Sequence, residues 1–176
     1  MIANLRRSAV VSAIFFVLLG LCYPLAETGI GQAFFSHQAN GSLTGNGSAL
    51  VGQHWTSPRW FVGRPDADDP MATGGSNLGP RSEALVKDAA AQIALLRKEG
   101  ITPTPDLVTT SGSGVDPDIA PADAYAQVNA VARARGLSVA TLRRLVAAQI
   151  HRPQFGLLGS AYINVLQLNE ALARLR

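Results

Sequence analysis

The sequence predicts an α+β protein in which a single N-terminal transmembrane helix precedes one soluble α+β domain. Three observations lead to that class. Residues Ser8 to Ala26 hold nineteen positions without a formal charge. The next part of the chain is rich in Gly, Ser and Asn and then in Trp, Phe and Val, a composition of turns and short strands. From Ser82 onward, apolar residues recur at helical spacing.

As a helix, Ser8 to Ala26 would be about 28 Å long, close to a hydrocarbon core of about 30 Å. Ten of its residues are Leu, Ile, Val or Phe. At roughly −0.3 to −0.6 kcal/mol each they favour insertion by about 3 to 6 kcal/mol, before the penalties of Ser12 and Pro24. Arg6 and Arg7 precede the span, Glu27 follows it, and no Lys or Arg returns before Arg59. The positive-inside rule therefore makes 1–7 a cytoplasmic tail, 8–26 the span and 27–176 an exported domain. A cleaved signal peptide shares the basic start and apolar core. Its cleavage chemistry is poor here, because Leu21 precedes Cys22 and Pro24 occupies the small-residue position before Ala26. A retained anchor is the expectation. Ser8–Ser12 and Ala9–Ala13 are small pairs four apart, so Ala9, Ser12 and Ala13 are the expected helix-packing residues.

Formal charge is +3 over 176 residues, but beyond the span there are thirteen basic and twelve acidic side chains. The basic balance thus reflects the tail and gives no nucleic-acid signature. The single cysteine, Cys22, lies in the span, which rules out an intramolecular disulfide.

Glu27 to Gln53 reads as extended chain and turns, with Asn40-Gly41-Ser42 and Asn46-Gly47-Ser48 as turn signals that also match the glycosylation sequon. His54 to Pro65 is strand-like, with Pro58 pointing to an edge or bulge. An acidic turn (Asp66, Asp68, Asp69, Pro70) leads to Gly74-Gly75-Ser76-Asn77-Leu78-Gly79-Pro80. The first clear helix follows, with Ser82 as N-cap, Leu85, Ala89, Ile93 and Leu96 as its stripe, and Gly100 as its stop. After the loop Pro103 to Pro121, a helix opens at Pro121 and ends before Gly136, with Val128 and Val131 inward. Ser138 caps a third helix bearing Leu142, Leu145 and Val146. The chain turns between Pro153 and Gly159. Asn164 then caps a last helix with Val165, Leu168, Leu172 and Leu175. The expected layout is a β-rich, loop-rich first half and a helical second half.

Chemistry is sparse. Ser113 sits between glycines, but SGSG lacks the G-x-S-x-G spacing of a nucleophile elbow, and no histidine has a recognisable place beside it. Neither glycine loop carries a phosphate-binding pattern. The aspartates show no EF-hand spacing, and no His or Cys has zinc spacing. Trp55 and Trp60 read as core or interface residues. No catalytic, cofactor-binding or metal-ligating residue is assigned. The residues singled out are partner-docking or structural loops: Gly74, Gly75, Ser76, Asn77, Gly79 and Pro80, with Ser111, Gly112, Ser113, Gly114, Asp116 and Pro117. Asn77 and Asp116 are the first choices for polar contacts with a partner.

QANGSL (Gln38 to Leu43), GRP (Gly63 to Pro65), GGSNLGP (Gly74 to Pro80), DLVT-x-SGSG-x-DP (Asp106 to Pro117) and NVLQLN (Asn164 to Asn169) occur in order behind one N-terminal span. In this the chain resembles the C subunits of the bacterial Kdp potassium-transporting P-type ATPase, over nearly its whole length. It departs from that pattern at Asp66 and Asp118, where Ser and His are expected, and at Ser160-Ala161-Tyr162, where Glu-Pro-Arg is expected.

The resemblance implies a noncatalytic subunit with no cofactor of its own, ATP and K⁺ being handled by partner subunits. Those partners are a channel-like potassium-conducting subunit and a P-type ATPase subunit, with room for a small single-span subunit, all in the lipid bilayer. It implies a single-pass protein of the inner membrane with a cytoplasmic N-terminus and a periplasmic domain. Assembly, stabilisation and a catalytic-chaperone effect that raises ATP affinity in the pump subunit are the implied roles. A nucleotide effect would be allosteric, because seven cytoplasmic residues hardly form a nucleotide site. Two other classes stay open on the residues alone: an anchored periplasmic hydrolase and a stand-alone binding domain.

Overall fold

The structure, a computed structural model, describes residues 2–66, 71 and 73–175. Asp68, Asp69 and Pro70 of the expected acidic turn lie outside the described residues. The chain divides into two compact units, Met1–Leu43 and Thr44–Arg176.

In the first unit, α1 (Ile2–Val17), a π-helical step (Leu18–Cys22) and α2 (Tyr23–Phe34) follow without a break. Together they are long and apolar enough to cross a membrane, with a mean hydropathy of 2.3 in the most apolar window. Here the expectation of extended chain from Glu27 is corrected: the helix continues to Phe34. Adding residues to an existing helix needs no new nucleus, so Gly29 and Gly31 are carried along. Thr28 Oγ1 supports this stretch by donating to the Pro24 carbonyl at 2.8 Å. Phe35 then leaves helical geometry, and the one-turn α3 (Ser36–Ala39) follows. It closes through left-handed Gly41 and Ser42, with Asn40 Nδ2 donating to the Ser36 carbonyl at 2.6 Å.

A short hairpin, β1 (Leu43–Thr44) with β2 (Gly47–Ser48), turns at the expected Asn-Gly pair. Beyond it the second unit is built on α6 (Pro121–Arg135), α7 (Val139–Ala148) and α8 (Val165–Ala173). Val128, Val131, Leu142, Val146, Leu168 and Leu172 from these helices enclose Phe61, which is fully buried. β3 (Asp118–Ile119) runs antiparallel to β4 (Ile163–Asn164), pairing Asp118 with Asn164 and Ile119 with Ile163. A smaller cluster joins Leu96 of α4 (Glu83–Glu99) to Leu107 of α5 (Pro105–Val108), Ile101 and Ala130.

The helix ends follow the sequence signals. Gly100 and Gly136 take the left-handed C-cap conformation, at φ 76° and 69°. Ser138 and Asn164 accept the amides of Thr141 and Gln167. Ser82 stands at the N-cap of α4 in extended conformation, but its side chain makes no capping bond.

The expected strand over His54 to Pro65 does not form, and the first half of the second unit is loop rather than β-rich. The reason is visible at Phe61 and Val62. Asn169 accepts from the Phe61 amide and donates to its carbonyl, both at 2.9 Å. Gln127 does the same for Val62, at 2.8 and 3.0 Å. Two side-chain amides thus supply the donor and acceptor that a neighbouring strand would offer, so buried backbone is satisfied without a sheet.

Candidate functional site

The two glycine loops come together. The Gly74 amide donates to the Ser113 carbonyl at 2.6 Å. A Cβ built on Gly75 would stand 3.0 Å from the Gly112 carbonyl, and one on Gly114 only 2.5 Å from the Gly74 carbonyl. Gly52 packs on the far side of the second loop, its amide donating to the Val115 carbonyl at 2.8 Å. Only backbone without side chains can approach this closely. Gly112 and Gly79 meet nothing within 4 Å and have no positive φ, so neither is needed for packing.

Asp66 is the hub of the cluster. Its carboxylate accepts from the Ser111 amide and hydroxyl, both at 2.7 Å, and from the Asp116 amide at 2.9 Å. Sequence reasoning saw this residue only as a turn acid and as a departure from the expected serine. Arg64, beside it in the GRP segment, pairs with Asp106 at 2.9 Å and donates to Thr109 Oγ1 and the Thr110 carbonyl at 3.3 Å. The DLVT segment is thereby pinned to the stretch that carries Phe61.

The singled-out polar side chains are largely used inside the loops. Ser111 Oγ accepts from the Gly114 amide at 2.9 Å, Ser113 Oγ from Val115 at 3.2 Å, and Ser76 Oγ from Leu78 at 3.5 Å. Asp116 Oδ1 accepts the Asp118 amide at 3.0 Å. Asp118 in turn accepts from Asn164 Nδ2 at 2.9 Å. Burial pushes the Asp118 carboxyl above its ordinary range and Asp116 adds to this, while the Asn164 bond opposes it. Asn77 is exposed and left-handed, at φ 54°. Pro80 is exposed beside it, while Pro117 offers its carbonyl to the Val165 amide at 3.0 Å.

The cavity enclosed by Gly52, Arg64, Asp66, Gly114, Asp116 and Pro117 measures about 20 Å³, room for a single water. Wider clefts of about 370 and 360 Å³ run along α4; Ser76 and Leu78 line the first and Asp66 the second, while Ser111 and Ser113 line neither. Where the two loops meet they form a welded collar, closed but for that small cavity.

Two surfaces remain. On α1, Ala9, Ser12 and Ala13 are exposed along the rod. At the other end of the chain, a tight turn is closed by reciprocal backbone bonds between Gln154 and Leu158 at 2.9 Å. It displays Phe155, 88% exposed and left-handed at φ 56°, with Leu157, 83% exposed. Sequence periodicity gave no sign of this apolar tip, which belongs to no helix or strand. At its base, where Tyr162 stands in place of the expected arginine, the ring stacks on His151 at 4.8 Å.

The family model described as "K+-transporting ATPase, c chain" (KdpC) matches residues 5–174. The chain is 46% identical to a potassium-transporting ATPase KdpC subunit of Caulobacter vibrioides, covering 98% of this chain and 93% of the relative. It is 48% identical to that of Sorangium cellulosum, covering 98% of both. With that of Burkholderia vietnamiensis the identity is 47%, over 96% and 94% of the two chains.

Proposed function

This chain belongs to the KdpC family of K⁺-transporting ATPase c chains, and from that premise we propose that it is a noncatalytic subunit of a high-affinity potassium uptake complex. It assembles and stabilises a channel-like potassium-conducting subunit and an ATP-hydrolysing P-type subunit, beside a small single-span subunit. The observation that carries the reading is the collar. Its hydroxyls and carboxylates are bonded to one another and to loop backbone, around space for one water. Groups committed in this way hold a shape: Ser111 Oγ donates to a carboxylate that is itself held by the Ser111 and Asp116 amides, and it accepts from the Gly114 amide. The exposed Asn77 and the Phe155 turn supply polar and apolar contacts for docking. ATP and K⁺ are handled by the partners, and any rise in the pump subunit's ATP affinity is transmitted allosterically.

The test is purification through a tag on this chain, followed by K⁺-stimulated ATP hydrolysis of what accompanies it. Ser113→Ala should assemble and turn over within a few-fold of the unmodified complex. Normal assembly with turnover down by roughly a hundredfold or more would show a catalytic serine and overturn the reading.

The same reading places the second unit in the periplasm, with the N-terminus in the cytoplasm and the span in the inner membrane. Ser160 is exposed and Cys22 lies in the span, so Ser160→Cys adds one probe over a low background. Whole cells should be labelled by an impermeant maleimide. Labelling that requires the inner membrane to be opened would reverse the orientation.

A further inference from the structure

We propose that the π-helical step Leu18–Cys22 is the seat of a hydrogen bond from a membrane helix of another subunit, a hypothesis that rests on the reading of this chain as an ATPase subunit. In an α-helix each carbonyl accepts from the amide four residues on, and in a π-helical turn from the amide five residues on. The Tyr23 amide donates to the Leu18 carbonyl, five residues back. The Leu19 carbonyl then loses both of its candidates. Tyr23 is committed to Leu18, and Pro24, the next in line, has no N–H. The Thr28 hydroxyl is occupied by the Pro24 carbonyl at 2.8 Å.

Leu19 lies seven residues before the end of the uncharged stretch at Ala26, roughly 10 Å inside the apolar zone at about 1.5 Å per residue. Water does not supply the missing bond at that depth, and an unsatisfied carbonyl there is strongly unfavourable. Lipid tails have no donor to give. The peptide in question joins Leu19 to Gly20, and a Cβ built on Gly20 would meet only the ring of Phe16, at 3.5 Å. Gly20 therefore adds no side chain of its own beside the orphan acceptor, and a second helix approaching there meets the Phe16 ring alone. The occupant this chemistry selects is a Ser or Thr hydroxyl, or an Asn or Gln carboxamide, on a transmembrane helix of a partner subunit.

Two variants of the full-length chain, studied in the assembled complex, test this. Pro24→Leu supplies the missing amide and lets Tyr23 turn to Leu19. Gly20→Leu keeps the proline and blocks close approach. Both keep the span apolar, so insertion is retained. The readout is the rate at which the ATPase subunits leave the immobilised chain under detergent challenge. Each variant should speed release by roughly three- to fifteenfold, the range of interhelical hydrogen bonds in membranes. Unchanged release in both overturns the inference and leaves the accessory-subunit reading standing. Failure of the unmodified chain to retain any ATPase subunit overturns that reading and the inference with it.

Discussion

Gly114→Val is expected to destabilise the protein by about 3 kcal/mol or more, from a left-handed β-branched residue and from overpacking. At φ 71° the position disfavours any L side chain, and the added Cβ would sit 2.5 Å from the Gly74 carbonyl. Backbone cannot swing aside as a flexible side chain does. The first loop must retreat, breaking the Gly74–Ser113 bond at 2.6 Å and disturbing the Gly114–Ser111 bond at 2.9 Å. For a unit of this size the midpoint of thermal unfolding should fall by roughly 6 to 12 °C. Gly112→Ala is the matched control, since its Cβ meets nothing and its φ is unremarkable. It should stay within about 0.5 kcal/mol of the parent. Thermal unfolding of both chains in the same detergent decides the matter. Equal losses in the two variants would mean that the collar does not depend on backbone contact.

Asn169→Leu should cost about 2 to 4 kcal/mol although it preserves volume, because it leaves two buried backbone groups of Phe61 without partners. Asn169 is 1% exposed and brackets that residue's amide and carbonyl at 2.9 Å on each side. Gln127→Leu should do the same to Val62, and the double variant should lose less than the sum, since both amides hold adjacent residues of one segment. Urea denaturation of the three variants measures these losses. A loss below about 1 kcal/mol in each single variant would show that the amides do not stand in for a strand.

Local signals were legible where a single residue type decides geometry. Gly100 and Gly136 stop helices, Pro121 opens one, and Ser138 and Asn164 cap two more through side-chain oxygens. The apolar stripes of α6, α7 and α8 face the core because a 3.6-residue period admits only one buried face. The long apolar N-terminal helix was legible in its apolar run, but its continuation to Phe34 was not. Gly29 and Gly31 there read as turn formers, although an existing helix extends through them without a new nucleus. The strand at His54 to Pro65 was misread for a different reason. Apolar and aromatic composition reports a buried extended segment, and says nothing about whether another strand or two amides will satisfy it.

The loops divide along the same line. Their order, their glycines and the family they mark were readable from motifs, because such patterns lie along the chain. Which glycines matter was not. Gly114 is indispensable to packing and Gly112 is open, yet they stand two residues apart in one motif. The difference lies in the Gly74 carbonyl, which approaches from 40 residues away. The role of Asp66 likewise needs Ser111 and Asp116 brought within 3 Å of its carboxylate. Sequence alone determined the helices of the second unit, the apolar N-terminal helix and the family, since those follow from spacing and residue type. Only the tertiary structure decided which polar groups are spent internally and which face outward, because hydrogen-bond partners distant in sequence become neighbours only after the core has closed.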